Sequence, residues 1–440
     1  MFVLSLMQGA GKTLKRVPCP HKLTKRVKHP EKRKQRQVCI MRNVVFVDGC
    51  RTGFGKLGGT IRKFPMTDLA TIAVNGLLDK TQILERGGHV DGLYMGSAFT
   101  DCQSSTPARY VALKSKLGYD VWSSYVERQC GSAIDAINHA AAAIMVGNAD
   151  VMIAGGGDSY SNMVAKFAMN IEPYKLIPPT PLKSSLAPDP ADCVDMITIS
   201  DTIARMYNIT REECDEFAAA SQQRAAAATE KGYFKDEIVP IVIPATKKTP
   251  EVVFDYDEFL RPGTTVEVLS KLRPVYPDGV TTAGNSSGRN DGAAMVLMMT
   301  EEKAAELGYK PFARFVAAGN SALDPKLMGL GPVKASLNAL SHAGLSINDI
   351  DVWECNEAFA AQNLGVIRGL EEETGAKIDM ANWNPNGGAI SFGHPNGASG
   401  ARIGIFTMKE LERRQARYGL FTSCCGGGQG VTTIIENLRK

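Results

Sequence analysis

Two stretches of this 440-residue chain follow one order. "CGSAIDAINHAAAAIMVGNADVMIAGGGDS" starts on small residues, runs through an alanine-rich helical pattern and ends in a strand-like run closed by Gly155-Gly156-Gly157. "GASGARIGIFTMKELERRQARYGLFTSCCGGGQG" repeats that order and closes on Gly426-Gly427-Gly428. A helix that feeds a strand buries its apolar stripe by packing back onto a sheet. Strand-to-glycine turns are common singly, but two such units at comparable spacing point to a duplicated α/β half. That duplication predicts an α/β protein of two similar halves.

The rest of the chain from Met41 fits this class, because short β-branched runs alternate with amphipathic or alanine-rich stretches. Strands are expected at "NVVFVD", "DVMIAGGG", "DIDVWECN" and "GLFTSCCGGG". Helices are expected over 67–79, 131–147, 211–231, 332–343, 358–370 and 398–414. The middle, roughly 160–285, breaks the alternation: it is rich in Pro, Asp, Thr and Lys and carries "IPPTPLKSSLAPDP" ahead of a helix pair around 193–231. It reads as a large insertion over one face of the core, and long insertions are frequently lids. The predicted division is a first half over 41–310 containing that insertion, and a second half over 311–440.

The formal charge of +4 hides an asymmetry, since residues 1–40 hold eleven Lys or Arg against one Glu and the remainder carries about −6. Three readings compete for the basic segment. A transit peptide is Arg- and Ser-rich and amphipathic; this segment is Lys-rich, has one Ser and is interrupted by Pro18, Pro20 and Pro30. A nucleic-acid arm lacks interleaved aromatics here. "GAGKT" at 9–13 is half a phosphate loop, with Leu6 where the first glycine belongs. A disordered extension, or translated sequence upstream of a start at Met41, is the favoured reading; no nucleic-acid partner is expected. There is no uninterrupted apolar run of membrane-spanning length. Ten cysteines without a CxxC pair, two of them adjacent, fit neither a secreted disulfide scaffold nor a metal site. The expected compartment is reducing and cytoplasmic, with a mitochondrial address left open by the basic segment.

Several residues draw attention as chemistry. Cys130 precedes a helical run opened by Gly131 and Ser132. A helix N-terminus stabilises an anion and lowers a thiol pKa, whereas a lone cysteine is more often a small buried hydrophobe. His394 lies in a loop between Gly393 and Pro395; alone it is a surface or packing histidine. "NEAFAAQ" at 356–362 alone is a helix cap with an alanine helix, and a glycine triplet alone is a turn.

Together these stretches carry more. With "RTGFGKLGG", "CGSAIDA", "TREECDEFAAASQQRA", "VTTAGNSSGRNDGAA", "DPKLMGLGP", "NEAFAAQ", "GGAISFGHPNGASGAR" and "CCGGGQG" in order, the chain from Met41 to Lys440 resembles the thiolase family, enzymes that make or cleave 3-ketoacyl-CoA thioesters. The resemblance implies two α/β halves, sheets sandwiched by helices, with a loop domain inserted in the first. It implies that Cys130 is the acyl-accepting nucleophile, His394 the base that takes its proton, and Cys424 the second catalytic cysteine. Asn356 matches a residue holding a water in the oxyanion site, and Ser287, Phe359 and Gly426 fall on the substrate side. Cys425, where the family has a small or aliphatic residue, is read as packing. No metal or bound cofactor is implied; the partners are acetyl-CoA, acetoacetyl-CoA or another 3-ketoacyl-CoA, and CoA, with the chain a homodimer or homotetramer.

The sequence also departs from the family. "GGGDSYSNMVAKFAMN" lacks a CoA-contacting histidine, Ile197 replaces a glycine in "MITISD", and Asn396 replaces an apolar residue after the GHP motif, close enough to His394 to affect the pocket wall. The predicted activity is that of an acetyl-CoA C-acetyltransferase, with a degradative 3-ketoacyl-CoA thiolase of broader chain length as the alternative. A ketoacyl-ACP synthase would carry a second histidine in place of the NEAF asparagine and lack the cysteine before the glycine triplet. A non-catalytic acyl-CoA binder would have lost a nucleophile.

Overall fold

The computed structural model describes residues 41–439 apart from 176, 183 and 248. The expectations for the basic segment 1–40 lie outside the described residues. The first half is built from Val44–Thr52 (β1), Gly92–Gly96 (β2), Trp122–Val126 (β3), Val151–Ser159 (β4) and Asn290–Thr300 (β5). The second uses Ala313–Ala322 (β6), Val352–Cys355 (β7), Tyr418–Cys425 (β8) and Gln429–Asn437 (β9). The principal helices are Met66–Thr81 (α1), Ser132–Met145 (α2), Met196–Met206 (α3), Arg211–Glu230 (α4), Gly331–Ala343 (α5), Ala360–Thr374 (α6) and Asn396–Arg414 (α7). Each helix expected from the sequence pattern is present, shifted by a few residues at its ends.

The strand order is β7-β8-β9-β6-β1-β5-β4-β2-β3. In the first half β4 has a parallel neighbour in β2, Gly92 opposite Met152, and an antiparallel one in β5, Gly155 opposite Met295. In the second, β8 has β7 parallel, Val352 opposite Gly419, and β9 antiparallel, Cys424 opposite Gly430. The strand that follows the repeated helix thus sits in the same surroundings twice. The halves join where β1 pairs with β6 through Val45–Arg314 and Phe46–Ala313.

Residues of β4 and β5 are buried on both faces, as strands in a layered protein must be. One core cluster places Ile134, Ile137 and Ala140 of α2 with Ala401, Ile405 and Phe406 of α7 and with Phe46 and Phe421 of the two sheets, so the repeated helices form the central layer. Leu69, Ala73 and Leu77 of α1 cover the outer face of the first sheet, and α5 and α6 cover the second. Among the described residues no helix is long and apolar enough to cross a membrane.

The two glycine triplets turn out not to be equivalent. Gly426–Gly428 make the turn between β8 and β9, as a triplet should. Gly155–Gly157 instead lie inside β4, which runs on to Ser159. The reason is proximity: a Cβ on Gly156 would fall 2.2 Å from the Gly96 carbonyl oxygen and 2.3 Å from that of Gly397. Only a residue without a side chain lets β2 and the start of α7 close on this strand.

Between Ser159 and Asn290 the chain leaves the sheet, returning to it only where Ile238 and Val239 pair in parallel with Arg51 and Thr52 of β1. Its two main helices are locally specified: the Asp195 carboxylate accepts from the Ile197 and Thr198 N–H groups at the start of α3, and Thr210 with Glu213 forms a capping box on α4.

Candidate active site

A cleft of about 690 Å³ opens where the two halves and the 160–289 segment meet, and Cys130, Cys424, His394, Ser287, Phe359 and Gly426 all line it. Each arrives by a local device. Cys130 sits in a tight turn, Gln129–Gly131, just before α2. Gln129 adopts a left-handed φ of 49°, and the Ser132 hydroxyl accepts from Arg128 N–H at 2.8 Å while donating to the Gln129 carbonyl at 2.7 Å. The turn presses on β8: a Cβ on Gly131 would lie 2.4 Å from the Cys425 sulfur. Strand alternation therefore separates the adjacent cysteines, Cys424 facing the cleft and Cys425 packing under the Cys130 turn. The packing reading of Cys425 fits this contact.

His394 enters two residues ahead of α7. Its backbone N–H donates to the Gly288 carbonyl at 3.2 Å and to Asn290 Oδ1 at 3.1 Å, which ties the GHP loop to the 282–290 segment. That segment in turn meets the stretch before α6, where Ser287 N–H donates to the Ala358 carbonyl at 3.0 Å and Ser286 pairs with Phe359. On the imidazole, Nδ1 is 2.6 Å from Ser399 Oγ, and Ser399 donates to the Pro395 carbonyl at 3.1 Å. A hydroxyl hydrogen committed to Pro395 leaves its oxygen to accept from Nδ1–H, which puts the lone pair on Nε2. Nε2 faces Asn356 Nδ2 at 3.4 Å.

Asn356 follows β7 and continues its parallel pairing, its N–H donating to the Thr422 carbonyl at 3.0 Å. The bland reading of Asn356 as a helix cap is overturned: α6 starts at Ala360, its N-cap position is Phe359, and no side chain caps it. Among the described residues the buried Asn356 Oδ1 has no hydrogen-bond partner. Buried polar atoms of a folded chain are normally paired, so this oxygen has capacity left to accept a hydrogen bond.

Family models decide the relationship. The one described as "Thiolase, N-terminal domain" matches residues 44–302, and "Thiolase, C-terminal domain" matches 309–437. The chain belongs to the thiolase family. It is 42% identical over 401 residues to an acetyl-CoA acetyltransferase of Allochromatium vinosum, covering 90% of this chain and 99% of that protein. Among solved structures, acetyl-CoA acetyltransferase from Syntrophomonas wolfei matches with a TM-score of 0.84 at 35% identity, covering 90% of this chain and 100% of that one. Human mitochondrial 3-ketoacyl-CoA thiolase matches with a TM-score of 0.80 at 37% identity, with coverages of 90% and 100%.

The electrostatics of this thiolase site correct one expectation. A helix start was expected to lower the Cys130 pKa, yet burial, and after it the Asp158 carboxyl, push the thiol up to about 12. The helix end is present, but desolvation at the floor of the cleft outweighs it. Cys424 is also raised, by burial first and then by Cys130. Burial, and then the Arg402 guanidinium, push His394 down to about 3. The resting site therefore holds two neutral thiols and a neutral imidazole whose Nε2 can take a proton.

Four participants escaped the sequence reading. Asn396, read as a pocket wall near His394, donates through Nδ2 to the Cys130 sulfur at 3.5 Å. Tyr160 donates to Asn396 Oδ1 at 3.1 Å. Asp158 accepts from Ser97 Oγ at 2.5 Å, Ala98 N–H at 3.0 Å and Gly397 N–H at 2.6 Å, fastening the first half to the start of α7. Ser399 was within reach of a sequence argument, because it lies on the first turn of the helix that His394 precedes; nothing local linked Tyr160 or Asp158 to residues more than 230 positions away.

Proposed function

We propose that the protein is an acetyl-CoA C-acetyltransferase, joining two acetyl-CoA molecules into acetoacetyl-CoA and CoA and running the reverse. The observation that carries this reading is the convergence of Cys130, Cys424 and His394, from both halves, on one cleft with Asn356 against the imidazole. Cys130 attacks the thioester carbonyl as His394 takes its proton; the CoA thiolate leaves and takes that proton, and an acetyl-cysteine remains. Cys424 then passes its own proton to His394 Nε2 and, as the thiolate, removes a proton from the methyl carbon of the second acetyl-CoA. The resulting carbanion attacks the acetyl carbonyl, a C–C bond forms, and the Cys130 sulfur leaves as a thiolate that takes the proton back from His394, the methyl proton staying on Cys424. Burial makes a thiolate at Cys424 a stronger base, which suits a weak carbon acid. Asn356 Nδ2 and the His394 Nε2–H, present while the ring holds the Cys424 proton, face the enolate oxygen; a preorganised donor of this kind is typically worth about 3–4 kcal/mol. CoA thioesters are the substrates, and no other cofactor enters.

The polar groups of Tyr160 and Asn396 beside the sulfur favour a short acyl group. The alternative, a degradative 3-ketoacyl-CoA thiolase of broader chain length, draws on the apolar part of the cleft around Leu186, Met196, Ile197 and Met328. We read residues 160–285 as the loop domain that walls the CoA side of the cleft. The chain as a homodimer or homotetramer draws support from the edge strand β3, whose Ser124 and Tyr125 are exposed. Thiolysis of 3-ketoacyl-CoA substrates of increasing length tests the assignment. Each methylene held in an apolar pocket adds about 0.8 kcal/mol, so a long-chain enzyme gains steadily with length. The expected result is a maximum kcat/KM at acetoacetyl-CoA and a sharp fall with longer chains; a maximum at a medium or long chain would promote the degradative reading.

A further inference from the structure

We propose that Asn396 is a catalytic hydrogen-bond donor to the Cys130 sulfur and that Tyr160 is the positioning residue that aims it. The proposal rests on the reading of Cys130 as nucleophile and adds a group to it. Three observations converge. Among the described residues, Asn396 Nδ2, at 3.5 Å, is the side-chain group hydrogen-bonded to that sulfur. His394 shares the cleft with Cys130 but bonds to Asn356 and Ser399 instead. The Tyr160 hydroxyl donates to Asn396 Oδ1, an arrangement that leaves the NH₂ end directed at sulfur. The phenol is itself fixed by an edge-to-face contact with Phe99 at 4.7 Å between ring centres.

The need for such a donor follows from the surroundings. The ionisable groups around the sulfur are Asp158, Tyr160, His394, Cys424, Cys425 and, further out, Arg128 and Arg289. Arg128 is engaged by Asp135 and Asn320. Asp158 opposes a thiolate, and the other thiols do the same if ionised. Among the described residues no cation is directly bonded to a thiolate formed here, and a neutral amide N–H pointed at it supplies stabilisation without adding a charge that would compete for the substrate. An apolar residue at position 396 could not do this.

The test is alkylation of Cys130 by iodoacetamide as a function of pH, with the modified peptide identified by mass spectrometry, in the full chain and in Asn396→Leu, Asn396→Asp and Tyr160→Phe. A lost hydrogen bond to an anion is worth about one pKa unit or more. In Asn396→Leu the alkylation profile should therefore move to higher pH by about one unit, with a rate about tenfold lower below the midpoint. Asn396→Asp, which replaces the donor by a like charge, should be slower still. Tyr160→Phe removes one oxygen while keeping the ring, and should fall between wild type and Asn396→Leu. In acetyl transfer, kcat should drop in the same order with KM for acetyl-CoA little changed. Profiles of Asn396→Leu and wild type that superimpose overturn the proposal, as does a Tyr160→Phe variant slower than Asn396→Leu. The underlying reading fails separately: full acetyl transfer by protein alkylated at Cys130 would remove Cys130 as nucleophile while leaving the measured effect of Asn396 on its ionisation intact.

Discussion

His394 makes the fold sensitive to acid in a way that one substitution can isolate. Its imidazole is buried and pushed from an ordinary value of 6.5 down to about 3, so the folded protein refuses a proton that the unfolded chain accepts. The stability contributed by keeping the ring neutral is fully present above the unfolded pKa. It is lost as pH falls below that value, and the loss stops only near the folded pKa. At about pH 5 the unfolded chain has gained roughly 1.5 units of advantage, or about 2 kcal/mol at 1.36 kcal/mol per unit. Asp158 acts in the opposite sense: its carboxyl is pushed up to about 6 by burial, so protonation between its ordinary value of 3.8 and that pH favours the folded state. Because wild type and His394→Asn share Asp158, the difference between them isolates the histidine. Urea denaturation followed by near-ultraviolet circular dichroism at about pH 7.5 and about pH 5 should show wild type losing about 2 kcal/mol more than the variant. Equal losses in the two proteins would refute the reasoning and mean that the ring is charged, or solvated, in the folded site.

Cys130→Ser should abolish covalent labelling by radiolabelled acetyl-CoA, and full stoichiometric labelling of that variant would exclude Cys130 as the acyl carrier. Cys424→Ala should still take up the acetyl group, since Cys130 and His394 remain, but lose condensation and thiolysis; equal loss of acyl transfer would argue against that division of labour. Gly156→Ala places a Cβ within 2.3 Å of the Gly96 and Gly397 carbonyl oxygens, and should destabilise the protein by about 3 kcal/mol or more by urea denaturation; a normal denaturation midpoint would show that the central layer can shift. A chain beginning at Met41 should fold and keep full activity, and an insoluble or inactive product would show that the basic segment takes part.

Much of this protein was legible in its sequence for reasons that are local. The alanine-rich stretch after Cys130 and the periodic pattern from Asn396 to Arg414 form helices because propensity and amphipathicity act within a few turns. The duplication was visible because each half repeats the helix-strand-glycine order. The motif set marked Cys130, His394 and Cys424, and the fold brings them to one cleft. Other features depended on distances that no local pattern encodes. Both glycine triplets look like turns in sequence, but Gly156 is a strand residue because Gly96 and Gly397, one before it and one far after it, approach its backbone. A helix start near Cys130 predicts a lowered pKa, yet the depth of the cleft and Asp158 reverse the sign. Asn396 looked like a wall residue until Tyr160, 236 positions earlier, was seen to turn its amide toward sulfur. Sequence determines propensity, periodicity and the identity of the reactive groups, all of which act over short stretches of chain. Desolvation and hydrogen-bond direction belong to the tertiary structure, because both are set by whichever atoms lie within a few ångströms, and in this site those atoms come from opposite halves of the chain.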